Sequence, residues 1–286
     1  MTCFDLSNYF SCIRLRGNTR LDFLQRMSTG DLRGLSVGEG RTTVLTTPIG
    51  RIVDWLAVLA DADSLLLLGS AGAKEKTLRW LRKHIFFNDD VQVGEETPAT
   101  ILGIFDEPER VAALAGTTTL PCTPWSHCLA DGKRFVRAPV VLGEGWFVIG
   151  ALDASDATCV NGDWERHRIH SGYPAFPHEI SEDYIPLETG LWGSVSFAKG
   201  CYTGQEVIAR MESRGQIAKK LCVVTSAMPL VAGDELLSQT GDLAGRVTSA
   251  AGTVGMAYLR TAFATPDQVL ETRAGTQVRV QRVVQI

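Results

Sequence analysis

Apolar residues recur at spacings of three and four in several stretches of the chain, which is typical of amphipathic helices. The pattern predicts helices over residues 19–27, 73–86, 107–114 and 164–170. Runs of β-branched and other apolar residues lie between them and predict strands. These strands cover residues 41–47, 51–59, 64–69, 91–93, 100–105, 140–142 and 146–149. Strand pairs that alternate with single helices, twice over, indicate an α+β body.

The pattern changes after about residue 218, where the sequence becomes rich in Val, Thr and Gly. Short apolar runs at 221–225, 244–248, 254–258 and 277–284 predict strands separated by glycine turns, and one short helix is expected around Asp267. Many short strands with such turns are typical of a small β-barrel. We therefore predict two regions, an α+β region over residues 1–217 and a C-terminal β-barrel over residues 218–286.

Composition excludes several classes of protein. The 286 residues are 45% apolar and 21% charged, and their formal net charge is −4. This charge argues against direct binding of nucleic acid, which needs clustered Lys and Arg. No apolar run approaches the roughly 20 residues of a membrane span, and the N-terminus lacks the layout of a signal peptide. We expect a cytoplasmic protein that binds no membrane.

Seven cysteines are present without any Cys-x-x-Cys pair, so neither a zinc ribbon nor a thioredoxin-like redox pair is indicated. They are Cys3, Cys12, Cys122, Cys128, Cys159, Cys201 and Cys222. A [4Fe–4S] cluster usually needs four thiolates, and the irregular spacing offers no such group. We predict no intrinsic metal or cluster, and reduced, scattered thiols at every position except Cys201.

Residues 199–206 carry the most informative pattern in the chain. Thr203 and Glu206 have the spacing of a capping box and predict a helix that runs to about residue 212. Gly200 and Gly204 would let the backbone turn tightly beside a ligand. Cys201 precedes this helix and lies two residues from Lys199, and both features favour a reactive thiolate. The alternative is that Cys201 is an ordinary packing residue between two turns.

The same segment resembles the signature octapeptide of the YgfZ family of folate-binding proteins. Its residues are Lys199, Gly200, Cys201, Tyr202, Thr203, Gly204, Gln205 and Glu206. Flanking segments resemble the family too, at residues 168–174, 184–188, 210 and 214–215. At the front, residues 17–50 resemble the family and its wider relatives. The resemblance covers nearly the whole chain, and it is strongest over residues 160–220 and weakest over residues 95–160.

This resemblance implies a fold and a function. The wider group includes the aminomethyltransferase of glycine cleavage, also called T-protein, in which three small domains surround a tetrahydrofolate site. For the YgfZ family it implies a tetrahydrofolate-binding protein that supports the maintenance or maturation of iron–sulfur proteins, including enzymes that modify tRNA. Cys201 would be its key thiol, and folate and iron–sulfur client proteins its partners. We expect a monomer.

One departure from the aminomethyltransferase pattern concerns its paired aspartates, which follow a Gly turn. Here only Asp54 is acidic, and Trp55 occupies the neighbouring place. A carboxylate there could steer the folate amine and move protons, so the loss of one puts transferase chemistry in doubt. The alternative for Asp54 is an ordinary solvated strand residue. A second departure is Cys201 itself, because the aminomethyltransferase has an aromatic residue in the matching region.

A pterin is flat and amide-like, so its pocket needs aromatic or aliphatic walls and a carboxylate for its donors. By resemblance to the transferase, Glu182 and Glu188 are candidate carboxylates. Candidate walls are Trp55, Tyr173, Trp192 and Tyr202, for each of which plain core packing is the alternative. Arg214 or Lys219 could meet the carboxylates of the folate tail, or could be solvated charges.

Two other functions remain open. The chain could be a true one-carbon transferase or demethylase that acts on a folate-linked methylene group or a methylamine. It could also be a folate-independent thiol protein that binds a client or a metal through Cys201. Folate binding would separate the second alternative from the leading hypothesis.

Overall fold

The computed structural model describes residues 2–96, 100–152, 161–215 and 217–286, without the side chains of Thr2, residues 161–163 and Arg214. A first antiparallel sheet has the strand order β3-β4-β5-β2-β6. Its strands are β2 (Phe10–Arg16), β3 (Gly40–Thr46), β4 (Ile52–Ala60), β5 (Ser64–Ser70) and β6 (Gln92–Glu96). Two helices, α1 (Arg20–Met27) and α2 (Lys74–Lys83), pack on one face of this sheet through buried residues such as Phe23, Leu78 and Leu81.

A second antiparallel sheet repeats this design with the order β1-β7-β10-β9-β8. Its strands are β1 (Thr2–Asp5), β7 (Thr100–Phe105), β8 (His127–Ala130), β9 (Lys133–Arg137) and β10 (Gly145–Gly150). Helix α3 (Pro108–Ala115) packs on its outer face through Val111 and Ala115. The inner faces of the two sheets share one apolar core, so the body has a helix–sheet–sheet–helix order.

A largely buried group of three charged residues joins the two sheets. Asp61 follows β4, and its carboxylate binds Arg14 of β2 at 2.8 Å and Arg134 of β9 at 2.8 Å. Arg134 is 5% exposed. Because two arginines from different sheets share one carboxylate, this group fixes how the two sheets sit on each other.

The C-terminal part forms a closed six-stranded barrel with the order β11-β14-β13-β12-β15-β16. Its strands are β11 (Lys219–Ser226), β12 (Glu235–Leu237), β13 (Leu243–Ala251), β14 (Val254–Arg260), β15 (Val269–Thr272) and β16 (Gln277–Val283). Helix α4 (Asn161–Ser171) leads out of the second sheet, and its Ile169 packs against Val223, Met256 and Tyr258 of the barrel. The barrel is thereby attached to the body through α4.

The predicted α+β class and C-terminal barrel are confirmed, and the four predicted helices exist with ends that differ by at most three residues. Two local predictions were wrong. Residues 140–142 form a 3-10 turn, because β10 pairs with β9 and β7 instead. No helix forms around Asp267, which has a φ of 65° and donates its backbone N–H to the carbonyl oxygen of Val280 on β16. In the described part of the chain, no helix is both long and apolar enough to cross a membrane.

Candidate functional site

An aromatic cavity of about 290 Å³ lies against the first sheet, beside α4 and the loop that follows it. Its aromatic walls are Tyr9, Phe10, Trp55, Trp125, Trp164, Tyr173 and Phe176. Trp55 comes from β4, and its ring lies 5.1 Å from Tyr173 and 6.5 Å from Trp125 between centroids. Rings at these distances form walls that accept a flat apolar ligand.

One side of this cavity is charged. Glu165 and Arg168 both line it, one turn apart on α4. The wholly buried Arg168 donates from Nε and Nη2 to the two oxygens of Glu165, at 2.9 Å and 2.6 Å. The Glu165 side chain remains 39% exposed. Each oxygen of Glu165 accepts one bond from Arg168, so each retains a second acceptor position.

A second carboxylate, that of Glu179, is fully buried behind Arg168. Its Oε1 accepts hydrogen bonds from Thr248 and Ser249 of the barrel, at 2.5 Å and 2.7 Å. Its Oε2 accepts from Arg168 at 3.2 Å and from the backbone N–H of Ala175 at 3.1 Å. All four acceptor positions of Glu179 are therefore used within the protein, and it joins the cavity wall to the barrel.

Asp54 is fully buried on β4 directly behind the cavity wall, so the alternative of a solvated strand residue was wrong. Its Oδ1 accepts from the backbone N–H of Trp55 at 2.9 Å, and its Oδ2 from the Thr77 hydroxyl at 2.9 Å. Gly69 lines the cavity, and a Cβ there would lie 2.8 Å from Asp54 Oδ2. Burial raises the pKa of Asp54 to about 6, which suits a group that exchanges protons near neutral pH.

The signature segment is built differently from its prediction. Helix α5 (Gln205–Arg214) begins after Gly204, which has a φ of 83°, and no side chain caps it. The predicted capping box of Thr203 and Glu206 was therefore wrong. Gly204 packs so closely on the β3–β4 turn that a Cβ would lie 2.6 Å from the carbonyl oxygen of Thr47. This close packing makes Gly204, and not Thr203, the residue that precedes the helix.

Cys201 is exposed, whereas Lys199 is only 5% exposed. The Lys199 ammonium donates to the backbone carbonyls of Gln25, Ser28 and Gly30 at 2.6–2.7 Å. Tyr202 is buried, with its ring centroid 5.5 Å from Lys199 Nζ. The signature thus presents one thiol at the surface between two buried side chains.

The residues expected at the folate site do not surround one pocket. Tyr173 lines the aromatic cavity. Glu182 is exposed and pairs with Lys76 at 2.7 Å, while the buried Glu188 borders a different, smaller pocket together with Trp192. Burial raises the pKa of Glu188. The Arg214 side chain lies outside the described residues, and Lys219 lies over the ring of Tyr184.

Sequence reasoning missed the residues that α4 and its neighbours bring to the cavity, namely Trp125, Trp164, Glu165, Arg168 and Phe176. The sequence did contain a signal for the pair of Glu165 and Arg168, because an acidic residue and an arginine three positions apart lie on one face of a helix. Within the described ranges, no group of three or more His, Cys, Asp or Glu side chains is arranged to hold a metal ion.

The paired sheets and the closed barrel together form an aminomethyltransferase-like fold. The glycine cleavage system aminomethyltransferase T from Bartonella henselae matches this structure with a TM-score of 0.85 over 98% of this chain and 84% of that chain. At 19% identity, this likeness concerns the fold alone. Residues 1–104 match the GCVT N-terminal domain, and residues 219–284 match the CAF17 C-terminal β-barrel domain.

Proteins of similar sequence carry the names of both YgfZ and aminomethyltransferase. A chloroplastic protein of Arabidopsis thaliana, named as a transferase, is 29% identical over 90% of this chain and 64% of its own length. A tRNA-modifying protein YgfZ from Hamiltonella defensa is 28% identical over 77% of this chain and 69% of its own length. An aminomethyltransferase of Bacillus subtilis is 24% identical over 86% of this chain and 74% of its own length. The predicted resemblance to the YgfZ and aminomethyltransferase group is confirmed, and the chain spans about two thirds of the first two relatives.

Proposed function

We propose that this protein binds tetrahydrofolate or one of its derivatives in the aromatic cavity and supports the assembly or repair of iron–sulfur enzymes, including tRNA-modifying ones. Cys201 would be its working thiol. The single observation that carries the proposal is the aromatic cavity with a carboxylate at its edge. The relatives named tRNA-modifying protein YgfZ support the second part.

The cavity fits the head of a folate. Its volume of about 290 Å³ is close to the lower end of ligand pockets, roughly 300–1,000 Å³. A bicyclic head would fill it, and the rest of the molecule would extend outward. Trp55, Trp125 and Tyr173 supply walls for a flat ring system.

Glu165 replaces Glu182 and Glu188 as the proposed partner of the pterin. An aminopyrimidine edge presents two neighbouring N–H donors, which match the two oxygens of a carboxylate. Glu165 lines the cavity and keeps acceptor capacity, whereas Glu179 has none left. Arg168 would hold the Glu165 carboxylate in one orientation through its two hydrogen bonds. A role for Arg214 at the folate tail stays a prediction.

Calorimetric titration with tetrahydrofolate tests the first part of the proposal. We expect saturable binding to the wild type, at least tenfold weaker binding to Glu165→Gln, and unchanged binding to Glu182→Gln, whose carboxylate is exposed and pairs with Lys76. Cys201→Ala should bind as the wild type does. Absence of binding to the wild type would refute the folate hypothesis and favour the thiol protein that acts without folate.

A cellular assay tests the second part. In cells that lack this protein, we expect the activity of iron–sulfur enzymes to fall, and expression of the wild type to restore it. Cys201→Ala should bind folate in vitro yet fail to restore activity. Full restoration by Cys201→Ala would remove the thiol from the proposal.

One-carbon transfer is the second candidate function, because several relatives are named aminomethyltransferase and Asp54 keeps a raised pKa behind the cavity wall. Incubation with ¹³C-labelled methylenetetrahydrofolate and an amine acceptor, followed by NMR, would detect it. Turnover that is lost in Asp54→Asn would favour a transferase. No turnover, together with folate binding, would favour the accessory role.

A further inference from the structure

The side chain of Lys199 crosses from the signature segment to the end of helix α1. Its ammonium group carries three N–H donors, and each has an acceptor, at 2.6 Å from the Gln25 carbonyl, 2.7 Å from Ser28 and 2.6 Å from Gly30. These acceptors lie about 170 residues earlier in the chain. The charge of Lys199 is therefore directed at the backbone at the end of α1 and just after it.

The end of α1 has a specific need for such a donor. The last carbonyls of a helix have no partner within the helix, and a cation there is favoured by the helix dipole. Helix α1 ends at Met27, and Ser28 continues in an extended conformation instead of the common left-handed cap. The Ser28 hydroxyl satisfies the Leu24 carbonyl, while Lys199 satisfies that of Gln25.

The residues before Lys199 bind the same turn. The Thr29 hydroxyl donates to the carbonyl of Ser194 at 2.6 Å, and the Ser196 N–H donates to the carbonyl of Thr29 at 2.9 Å. Lys199 then binds the residues on both sides of Thr29. The segment from Ser194 to Lys199 is thus attached to the turn after α1 by hydrogen bonds at three of its residues, Ser194, Ser196 and Lys199.

A second attachment point follows Cys201. The Thr46 hydroxyl donates to the carbonyl of Thr203 at 2.5 Å, and Gly204 packs directly against Gly50. Cys201 therefore lies in a short bridge between two anchors, Lys199 and Thr203. Both anchors attach to the region of the first sheet, and the exposed thiol lies between them.

We infer that Lys199 is a positioning residue, which fixes the Cys201 bridge to the end of α1, and that it is not the cation that activates the thiol. This inference rests on the proposed role of Cys201 as the working thiol. Because all three N–H groups of the ammonium are bound to carbonyls, none is left to donate to a thiolate. Burial lowers the pKa of Lys199 to about 8, and a neutral amine has only two N–H groups, so the bridge should loosen above this pH.

Two variants separate positioning from activation. Lys199→Met keeps the length of the side chain and removes its charge. Lys199→Arg keeps the charge, but its planar guanidinium cannot direct three N–H groups at three converging carbonyls. Lys219→Met is the matched control, because Lys219 is also a lysine packed against aromatic rings but lies away from the signature.

The readouts are amide hydrogen exchange over residues 196–204 and the pH profile of Cys201 alkylation by iodoacetamide, followed on its own peptide by mass spectrometry. We expect amide exchange over residues 196–204 to be at least tenfold faster in both Lys199 variants and unchanged in Lys219→Met. The alkylation midpoint should stay within about 0.3 pH unit of the wild type in both, because a charge that only positions the bridge does not set the thiol pKa.

The inference would be overturned by unchanged exchange over residues 196–204 in both variants. It would also be overturned by a midpoint that moves up by a full unit in Lys199→Met and stays in place in Lys199→Arg, which is the signature of an activating cation. If neither variant folds, the test is amide exchange over residues 196–204 in the wild type at pH 7 and pH 9.5, corrected for the intrinsic exchange rate. Faster exchange at pH 9.5 would support the inference, and unchanged exchange would overturn it. No readout involves folate, so failure here is distinct from failure of the proposed function.

Discussion

The indole N–H of Trp55 donates a hydrogen bond to the Ser194 hydroxyl at 3.0 Å. Trp55 forms a wall of the aromatic cavity, and Ser194 begins the segment that leads to Lys199 and Cys201. The Ser194 hydroxyl in turn donates to Thr42 on β3 at 2.7 Å. One wall of the proposed folate site is thereby joined to the segment that carries the proposed working thiol.

Removing the Ser194 hydroxyl should destabilise the protein, because it leaves the buried indole N–H of Trp55 without an acceptor. An unsatisfied buried donor costs about 1–3 kcal/mol, so we expect this loss in the free energy of unfolding of Ser194→Ala, measured with urea. Ser213→Ala, which removes an exposed hydroxyl on α5, is the control and should change the free energy by less than about 0.5 kcal/mol. Equal stability of the two variants would contradict the hydrogen bond between Trp55 and Ser194.

Arg168 should be the most sensitive charged residue of the cavity wall. It is wholly buried and binds both Glu165 and the equally buried Glu179. Loss of one member of a buried pair leaves an uncompensated charge and costs about 3–5 kcal/mol, which we expect for Arg168→Met. Arg166→Met changes an exposed arginine of the same helix and should be nearly neutral. Because Glu179 carries the remaining charge, adding Glu179→Gln to Arg168→Met should recover part of the loss.

Asp54 should make stability depend on pH in an unusual direction for a carboxylate. Its pKa is raised to about 6 in the folded protein, compared with about 3.9 in an unfolded chain. The folded state therefore binds the proton more tightly, and this contribution to stability is complete below about pH 4 and is lost as the pH rises through 6. Asp54→Asn, which stays neutral, should lack the dependence.

The measurement for Asp54 is the urea midpoint from pH 4 to pH 8 in both proteins. The difference in free energy of unfolding, Asp54→Asn minus wild type, should increase between pH 4 and pH 6.5 and then level off. A difference that is constant over this range would mean that Asp54 has an ordinary pKa. The comparison between the two proteins cancels the titration of the other carboxylates.

Much of the fold could be predicted because hydrophobic periodicity marks the buried elements. The interior strand β4 is buried at every position and is apolar except at Asp54, and the predicted helices follow from their spacing. The sequence prediction missed the strands β1, β2, β8, β9, β12 and β15. Of these, β2 and β9 have seven and five residues, whereas β1, β8, β12 and β15 have only three or four, which is too short for a periodic signal. Their pairing partners, and not their own sequences, make them strands.

The candidate site could be predicted only in part. The signature was identified from its residues, but the acceptors of the Lys199 ammonium lie 169–174 residues away, which no local pattern shows. The resemblance to the transferase indicates Glu182 and Glu188, in the loop before the signature, whereas the fold brings Glu165 of the preceding helix to the cavity wall. Which carboxylate faces a cavity depends on tertiary packing, so spacing along the sequence could not decide it.

The two glycines of the signature should respond in opposite ways to the same substitution. Gly204 has a φ of 83°, and a Cβ there would lie 2.6 Å from the Thr47 carbonyl oxygen and 2.9 Å from the Cα of Gly50. A left-handed conformation costs a non-glycine residue about 1–2 kcal/mol, and overpacking adds about 1–3 kcal/mol. We therefore expect Gly204→Ala to lose about 2–5 kcal/mol in the free energy of unfolding and to speed amide exchange at the start of α5. A Cβ on Gly200 would meet no atom within 4 Å, so Gly200→Ala should keep wild-type stability. If Gly200→Ala proved the more damaging of the two, Gly200 would have a role that packing does not explain, such as close approach of a bound partner to the Cys201 bridge.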